Sequence, residues 1–185
     1  MHHSNGFTLL ELLIVIAIFA IMLGQTWHFG KDLHAEFRAD QVSREITLAL
    51  KYSRHHASVS RQNTLLCSVK PDGNCSSNWH NPWVAFVDRN NNLRLDDADQ
   101  LLKRWNIVKP SEYVRWAAFG AKKYIRFYPS GITGRQNGRF TYCPHSKNND
   151  YARLVYLARS GKSRIASDAN RDGIIEDRLG RDVNC

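Results

Sequence analysis

The feature that most constrains this chain is an apolar run near its N-terminus that contains a single carboxylate. Residues 7–24 read FTLLELLIVIAIFAIMLG, and Glu11 is the only ionisable side chain among them. A run of about 18 apolar residues is near the lower limit for a membrane-spanning helix. A carboxylate inside hydrocarbon costs about 2.5–3.5 kcal/mol on insertion scales. We therefore expect some step in the working life of the protein to offset this cost.

The helical pattern continues beyond this apolar run. Apolar residues recur at helical spacing from residue 29 to residue 57, and charged residues fill the other face. No proline occurs before Pro71. The pattern predicts one helix from about residue 8 to about residue 59. Because its second half is amphipathic, that half needs a soluble domain to pack on.

The rest of the chain has the composition of short β-strands. Eight stretches read as strands, at residues 64–70, 83–88, 101–108, 112–119, 123–129, 138–143, 152–159 and 162–167. Turn signals such as DRNNN, PSGITG and SGK lie between them. Short strands with tight turns indicate antiparallel sheet. The fold class is therefore α+β, with the amphipathic half of the helix packed on β-sheet.

The four cysteines lie in the β-rich part of the chain, at Cys67, Cys75, Cys143 and Cys185. None forms a CxxC pair, which argues against a zinc site. An even count behind a membrane-targeting segment favours disulfides in an exported domain. Three pairings are possible. Proximity in sequence favours Cys67–Cys75, which leaves Cys143–Cys185, and four reduced buried thiols are the alternative.

The N-terminal sequence resembles the class III signal of type IV pilins and type II secretion pseudopilins. The resemblance lies in a short leader that ends in Gly6, the aromatic Phe7, Glu11 four residues later, and the apolar run. It implies that a prepilin peptidase cleaves between Gly6 and Phe7 and that the new Phe7 amine is methylated. It also implies that Glu11 neutralises the Phe7 amine of a neighbouring subunit during assembly. A single-pass anchor with Glu11 at the headgroups is the alternative.

The β-rich part resembles the GspH/FimT group of minor pilins and pseudopilins. The stretches that carry this resemblance are WHNPWVAFVDRNNN, IRFYPSGITGRQNGRFTYC and RLVYLARSGKSRI. The resemblance implies a type IV pilin fold with a leader at 1–6, a transmembrane helix at 7–26, an amphipathic continuation at 27–60 and a periplasmic or extracellular domain at 61–185. It implies a subunit that leaves the inner membrane to join other pilins in a type IV pilus or, alternatively, a type II secretion pseudopilus. The histidines are scattered and no catalytic constellation emerges, so we expect neither enzyme activity nor a cofactor.

Positive charge is concentrated in the C-terminal third of the chain. The net charge is +9, and residues 122–164 hold ten basic residues against one acidic residue. Basic side chains beside turns can contact phosphates without sequence preference. The stretch GKSR at residues 161–164 resembles the Gly-Arg-x-Arg motif with which FimT proteins bind DNA, with a lysine in place of the first arginine. The candidate DNA contacts are Arg159, Gly161, Lys162 and Arg164, with Arg153, Arg139 and Arg135. A solvated basic hairpin, or one that docks on another minor pilin, is the alternative.

Two segments rich in Asp and Asn resemble the start of a calcium loop. The second contains Asp168, Asn170 and Asp172, but Leu179 stands where a calcium loop needs a bidentate carboxylate. Turns stabilised by Asp and Asn side chains explain this segment, and the similar one at 88–99, equally well. We therefore expect no metal site, with Asp168, Asn170 and Asp172 as a weak calcium candidate.

Overall fold

The computed structural model describes residues 8–80, 82–120, 123–144 and 147–185, without the side chains of residues 23–32. The chain divides into two compact units, Met1–Phe37 and Arg38–Cys185. One helix, α1 (Leu9–Ser60), contributes residues to both units. Its bounds agree within one residue with the helix predicted from the sequence.

In the first unit, α1 begins at a threonine cap. The Thr8 hydroxyl accepts a hydrogen bond from the N–H of Glu11 at 3.3 Å, and the Thr8 carbonyl accepts one from the N–H of Leu12 at 3.2 Å. Threonine is preferred at this position because its oxygen satisfies an N–H that the helix leaves unpaired. All side chains of residues 8–22 are exposed. Among the described residues, no helix has both the length and the apolar content needed to cross a membrane.

The described part of the second unit contains two antiparallel sheets built from nine strands. The strands are β1 (Thr64–Val69), β2 (Cys75–Ser76), β3 (Trp83–Val87), β4 (Gln100–Trp105), β5 (Tyr113–Ala118), β6 (Tyr124–Phe127), β7 (Gly138–Cys143), β8 (Arg153–Leu157) and β9 (Ser163–Ile165). The first sheet has the order β2-β1-β3-β4, with β6 also paired to β1, and the second has the order β5-β7-β8-β9. Each of the eight predicted stretches corresponds to one strand, and only β4 begins outside its stretch, by one residue. The two-residue β2 is too short to produce a sequence signal.

The main core of this unit lies between α1 and one face of each sheet. The buried apolar side chains of α1 are Ala39, Val42, Ile46, Ala49, Leu50 and Ala57. They repeat at helical spacing, as the amphipathic pattern predicted. Trp79, Trp83 and Phe140 pack together with ring centroids 4.5–4.9 Å apart. These three rings join the first sheet to the second around a common core.

The second face of each sheet is covered by loops rather than by helix. Leu65 and Phe86 of the first sheet are fully buried beside the partly buried Leu93 and Leu95 of the loop after β3. In the second sheet, Leu154 and Tyr156 pack against Ile175 and Val183 of the last 18 residues, 168–185, which we call the C-terminal segment. Every residue of β1 and β3 is therefore buried, although a one-sided sheet alternates buried and exposed positions.

Two disulfides cross-link the second unit, and one of them attaches the C-terminal segment to the second sheet. Cys67–Cys75 joins β1 to β2, and Cys143–Cys185 joins β7 to the end of the C-terminal segment. The backbone N–H of Cys185 also donates to the Asn149 side chain at 3.0 Å. The pairing favoured by proximity in the sequence is confirmed.

A buried ion pair links α1 to the strand β5 region. Arg38 donates through Nε and Nη2 to the two carboxylate oxygens of Glu112, at 2.6 and 2.7 Å. Arg38 Nη2 also donates to the Ile107 carbonyl, and the Lys109 N–H donates to Glu112. Burial opposes ionisation of Glu112, but the hydrogen bonds from Arg38 and Lys109 outweigh it, so the pKa of Glu112 lies below its ordinary value.

Candidate functional site

The sequence placed a hairpin tip at Ser160 and Gly161, and β8 and β9 form that hairpin. The N–H of Gly161 donates to the Ala158 carbonyl, and the N–H of Ala158 donates to the Lys162 carbonyl, both at 2.9 Å. The side chains of Arg159 and Lys162 are exposed beside this turn. We call β8, β9 and the turn between them the basic hairpin. Its tip presents two cations that a phosphate can reach.

The glycine of the tip has a packing role. Gly161 has φ +74°, and a Cβ built on it would lie 2.0 Å from the Gly131 carbonyl oxygen. Two hydrogen bonds hold the turn around Gly131 in place. Thr133 N–H donates to the Arg159 carbonyl of the hairpin at 2.9 Å, and Arg54 Nε of α1 donates to the Gly131 carbonyl at 3.1 Å. Gly161 is therefore needed for the hairpin tip to dock on the neighbouring turn, whether or not DNA binds there.

The other predicted DNA contacts separate into free and occupied side chains. Arg135 is exposed. Arg153 donates to Asp40 at 2.9 Å with only 11% of its side chain accessible, and Arg139 donates to Asp177 at 3.3 Å. Because carboxylates of the same chain already neutralise Arg153 and Arg139, we correct the candidate set by removing both. Their charges stabilise the fold.

The last predicted contact, Arg164, lies at a cavity that sequence analysis did not identify. The cavity has a volume of about 480 Å³, and its lining includes Tyr156, Arg164 and Arg178. The guanidinium carbons of Arg164 and Arg178 lie 5.7 and 4.6 Å from the centre of the Tyr156 ring. Tyr156 is only 6% exposed, and its hydroxyl has no hydrogen-bond partner among the residues that the structure describes. We call this cavity the Tyr156 pocket.

The acidic loop of the C-terminal segment brings three carboxylates together. Oxygens of Asp168, Asp172 and Glu176 lie within 4.8 Å of one another. Backbone N–H groups of the same loop donate to Asp168 and Glu176 at 2.6–3.3 Å, and the Asn170 amide donates to Asp172 at 2.8 Å. Asp88 accepts two backbone N–H groups in the other Asx-rich loop. These hydrogen bonds are those of Asx-rich turns, and they account for both loops without a metal ion.

The predicted assembly site lies at the start of the first unit. Glu11 is exposed in the first turn of α1, and none of the described residues forms an ion pair with its carboxylate. Gly6 and Phe7 lie outside the described residues, so cleavage and the charge pair with Glu11 stay predictions. A helix N-terminus favours a carboxylate in its first turn, which gives Glu11 a local role as well.

Comparisons with known proteins agree with this geometry. The sequence profile of the family described as type II transport protein GspH matches residues 42–161, and that of the prokaryotic N-terminal methylation motif matches residues 1–24. No curated protein sequence matches the chain. The fold is similar to that of the type IV minor pilin FimU of Pseudomonas aeruginosa PAO1, with 14% identity, a TM-score of 0.51, and coverage of 69% of this chain and 92% of FimU. It is also similar to the minor pseudopilin EpsH of the Vibrio cholerae type 2 secretion system, with 11% identity, a TM-score of 0.50, and coverage of 70% and 97%. The chain therefore belongs to the GspH family and has the type IV pilin fold.

Proposed function

We propose that this protein is a minor pilin of a type IV pilus and takes part with other pilins in starting pilus assembly near the tip. One observation carries the proposal: the N-terminal methylation motif at 1–24 and the GspH domain at 42–161 occur on a single chain, joined by α1. The similarity of the fold to that of FimU supports it. The protein acts as a structural subunit rather than as an enzyme.

The proposed assembly step depends on two features of the N-terminal segment. Removal of the leader by a prepilin peptidase, between Gly6 and Phe7, exposes a new amine, and Glu11 of an adjoining subunit pairs with it. Opposite charges attract strongly where water is excluded, and each offsets the other's desolvation. The exposed apolar side chains of residues 9–22 need a cover. Inner-membrane lipid covers them before assembly, with the β-rich domain in the periplasm, and neighbouring helices cover them afterwards.

Replacing Glu11 by glutamine should strongly reduce the assembly of pili without affecting the folding of the protein. In a host strain that lacks the gene, wild-type protein should restore surface pili, whereas Glu11→Gln should leave at least about tenfold fewer, because a neutral amide removes the charge pair. The yield of pili sheared from the cells is the measurement. Glu36→Gln is the matched control, since it removes an exposed carboxylate further along α1.

The same strains distinguish the two possible machines. Restored piliation with Glu36→Gln but not with Glu11→Gln supports the pilus assignment. If deletion leaves pili unchanged and stops exoprotein secretion, the protein is instead a pseudopilin of a type II secretion system, the alternative favoured by its family description and by its likeness to EpsH. Mass spectrometry that finds residues 1–6 still attached where the peptidase is active contradicts both assignments.

A second proposed function is DNA binding by the tip of the basic hairpin. Arg159 and Lys162 are exposed at the turn, and Arg135 is exposed on the turn bonded to it through Thr133. Three cations without a carboxylate partner among the described residues favour a phosphate backbone over a neutral surface. Lys162 contacts a phosphate as a point charge, because it lacks the bidentate fork of arginine. We therefore infer binding without sequence preference.

Removing the two tip charges should weaken DNA binding in a salt-dependent way. The Arg159→Gln/Lys162→Gln chain should bind duplex DNA less tightly than wild type. The negative slope of log affinity against log salt should become shallower by about two. Fluorescence anisotropy with the full chain in nonionic detergent measures both quantities. Lys70→Gln/Arg104→Gln is the control, because it removes two exposed charges from the region of the first sheet. Equal losses in the two double variants, or no loss in either, contradict a binding site at the tip.

A further inference from the structure

We propose that the Tyr156 pocket is a phosphate-binding site whose donors are Arg164, Arg178 and the Tyr156 hydroxyl. When the protein holds DNA, the bound group is a backbone phosphodiester, and this extension rests on the DNA-binding function proposed above. The pocket itself is independent of that function, because inorganic phosphate offers the same chemistry. The proposal adds Tyr156 and Arg178, which sequence analysis did not select as candidate contacts.

The first argument is that the pocket contains unused donors. Neither Arg164 nor Arg178 forms a hydrogen bond or ion pair with any residue that the structure describes; each lies against the Tyr156 ring. The Tyr156 hydroxyl is buried without a partner. A buried donor without a partner destabilises a protein, so its presence indicates that something outside the chain satisfies it. Two guanidiniums over the ring that bears this hydroxyl supply donors of the kind that bind the oxygens of a phosphate.

The second argument is that the acids lining the pocket are not paired with its two arginines. Asp177 accepts hydrogen bonds from Arg181 at 2.7 Å and from Arg139 at 3.3 Å. Glu176 accepts two backbone N–H groups of its own loop. Neither carboxylate therefore occupies the guanidiniums of Arg164 and Arg178. These two cations attract an anion to the pocket, and the carboxylates of the acidic loop, which include Glu176, oppose it.

The third argument is position. Tyr156 and Arg164 are paired in register on β8 and β9, and Lys162 lies two residues before Arg164. Side chains two residues apart on an extended chain point to the same side and are separated by roughly 7 Å. A strand of nucleic acid that contacts Lys162 at the tip can therefore continue into the pocket. The cavity of about 480 Å³ is large enough for a phosphate and its ester oxygens.

Inorganic phosphate binding to the full chain in nonionic detergent tests the pocket directly. Calorimetric titration at constant ionic strength should show binding that Arg178→Gln weakens at least about tenfold, since a charged hydrogen-bond donor is lost. Arg178→Lys keeps the charge but lacks the bidentate fork of arginine, so its affinity for phosphate should lie between those of wild type and Arg178→Gln. Arg104→Gln, an exposed arginine of the first sheet, should bind phosphate as wild type does.

Tyr156→Phe gives a readout that a merely structural tyrosine would not. Removing a buried hydroxyl that has no partner should leave the Tm without phosphate unchanged or higher. The rise in Tm caused by phosphate should shrink, because the third donor is gone. A fall in Tm without phosphate, together with an unchanged phosphate-induced rise, contradicts a binding role for the hydroxyl.

The remaining outcomes separate the pocket from DNA binding. Phosphate binding that is absent in wild type, or unchanged in Arg178→Gln, overturns the pocket. If the tip variant weakens DNA binding and Arg178→Gln does not, the extension to DNA is wrong while DNA binding at the tip stands. If Arg178→Gln loses phosphate but no variant alters DNA binding, the pocket stands and the DNA function fails. Displacement of phosphate by equimolar acetate overturns phosphate selectivity and indicates a protein carboxylate as the partner.

Discussion

Replacing Arg38 by methionine should lower the free energy of unfolding by about 3–5 kcal/mol, the range for removing one partner of a buried ion pair. The accessible fractions of the two side chains are 12% for Arg38 and 6% for Glu112. Without Arg38, the Glu112 carboxylate stays buried without a cation partner and keeps only the hydrogen bonds from the Lys109 N–H and the Tyr142 side chain, and the Ile107 carbonyl also loses a partner. Urea denaturation of the full chain in nonionic detergent, followed by tryptophan fluorescence, measures the loss.

A second arginine on the same helix provides the matched control. Arg44 lies 3.7 Å from Asp40 with 64% of its side chain accessible, and such exposed pairs contribute at most about 1 kcal/mol. Arg44→Met should therefore be nearly neutral. Adding Glu112→Gln to Arg38→Met should recover part of the loss, because no unpaired charge remains in the interior. Equal effects of Arg38→Met and Arg44→Met would show that burial of the pair contributes nothing.

The Arg38 prediction has a pH dependence whose sign follows from Glu112. Because the folded state holds the pKa of Glu112 below its ordinary value, the pair's stabilisation is full above that ordinary value, 4.5. It is lost as the pH falls through the lower pKa of the folded state. In Arg38→Met, protonation relieves the buried carboxylate instead. The stability difference between wild type and Arg38→Met should therefore narrow as the pH falls below about 4, whereas the Arg44→Met difference stays small throughout.

Gly161→Ala should also destabilise the protein strongly, by at least about 2 kcal/mol. Two penalties combine: the residue must keep φ +74°, and its new Cβ would lie 2.0 Å from the Gly131 carbonyl oxygen. Because that oxygen belongs to the backbone, one of the two turns must move. The movement would break the hydrogen bond from the Thr133 N–H to the Arg159 carbonyl, which joins the two turns. The midpoint of urea denaturation measures the effect.

Gly180→Ala separates the two penalties. Gly180 has φ +72°, nearly the value of Gly161, but no atom lies within 4 Å of a Cβ built there. It should cost only the backbone term, about 1–2 kcal/mol. If the two alanine variants lose equal stability, the steric contact between residue 161 and the Gly131 carbonyl contributes nothing to the effect of Gly161→Ala. Loss of DNA binding in Gly161→Ala would not identify Gly161 as a DNA contact, because the substitution displaces the whole tip. The charge variants Arg159→Gln and Lys162→Gln test DNA contacts without moving the tip.

The sequence alone determined the features that arise from short-range patterns. The spacing of apolar residues from Val42 to Ala57 is set by the 3.6-residue helical period, so it predicts both α1 and the face that α1 buries. Strands bounded by Gly and Asn turns were predicted from the two-residue period of their side chains. The Cys67–Cys75 disulfide followed from its separation of 8 residues, and Glu11 drew attention because a charge in an apolar run is costly.

Only the tertiary structure decided which basic side chains are free and which are occupied. Arg153 and Arg159 look alike in the sequence, but Arg153 pairs with Asp40, 113 residues away, while Arg159 is exposed. The Tyr156 pocket likewise needs the C-terminal segment to fold back over β8 and bring Arg178 onto the ring. The physical reason is that the hydrogen bonds, burial and electrostatic environment of a side chain depend on distances in space. Local sequence patterns do not give these distances when the partners are far apart along the chain.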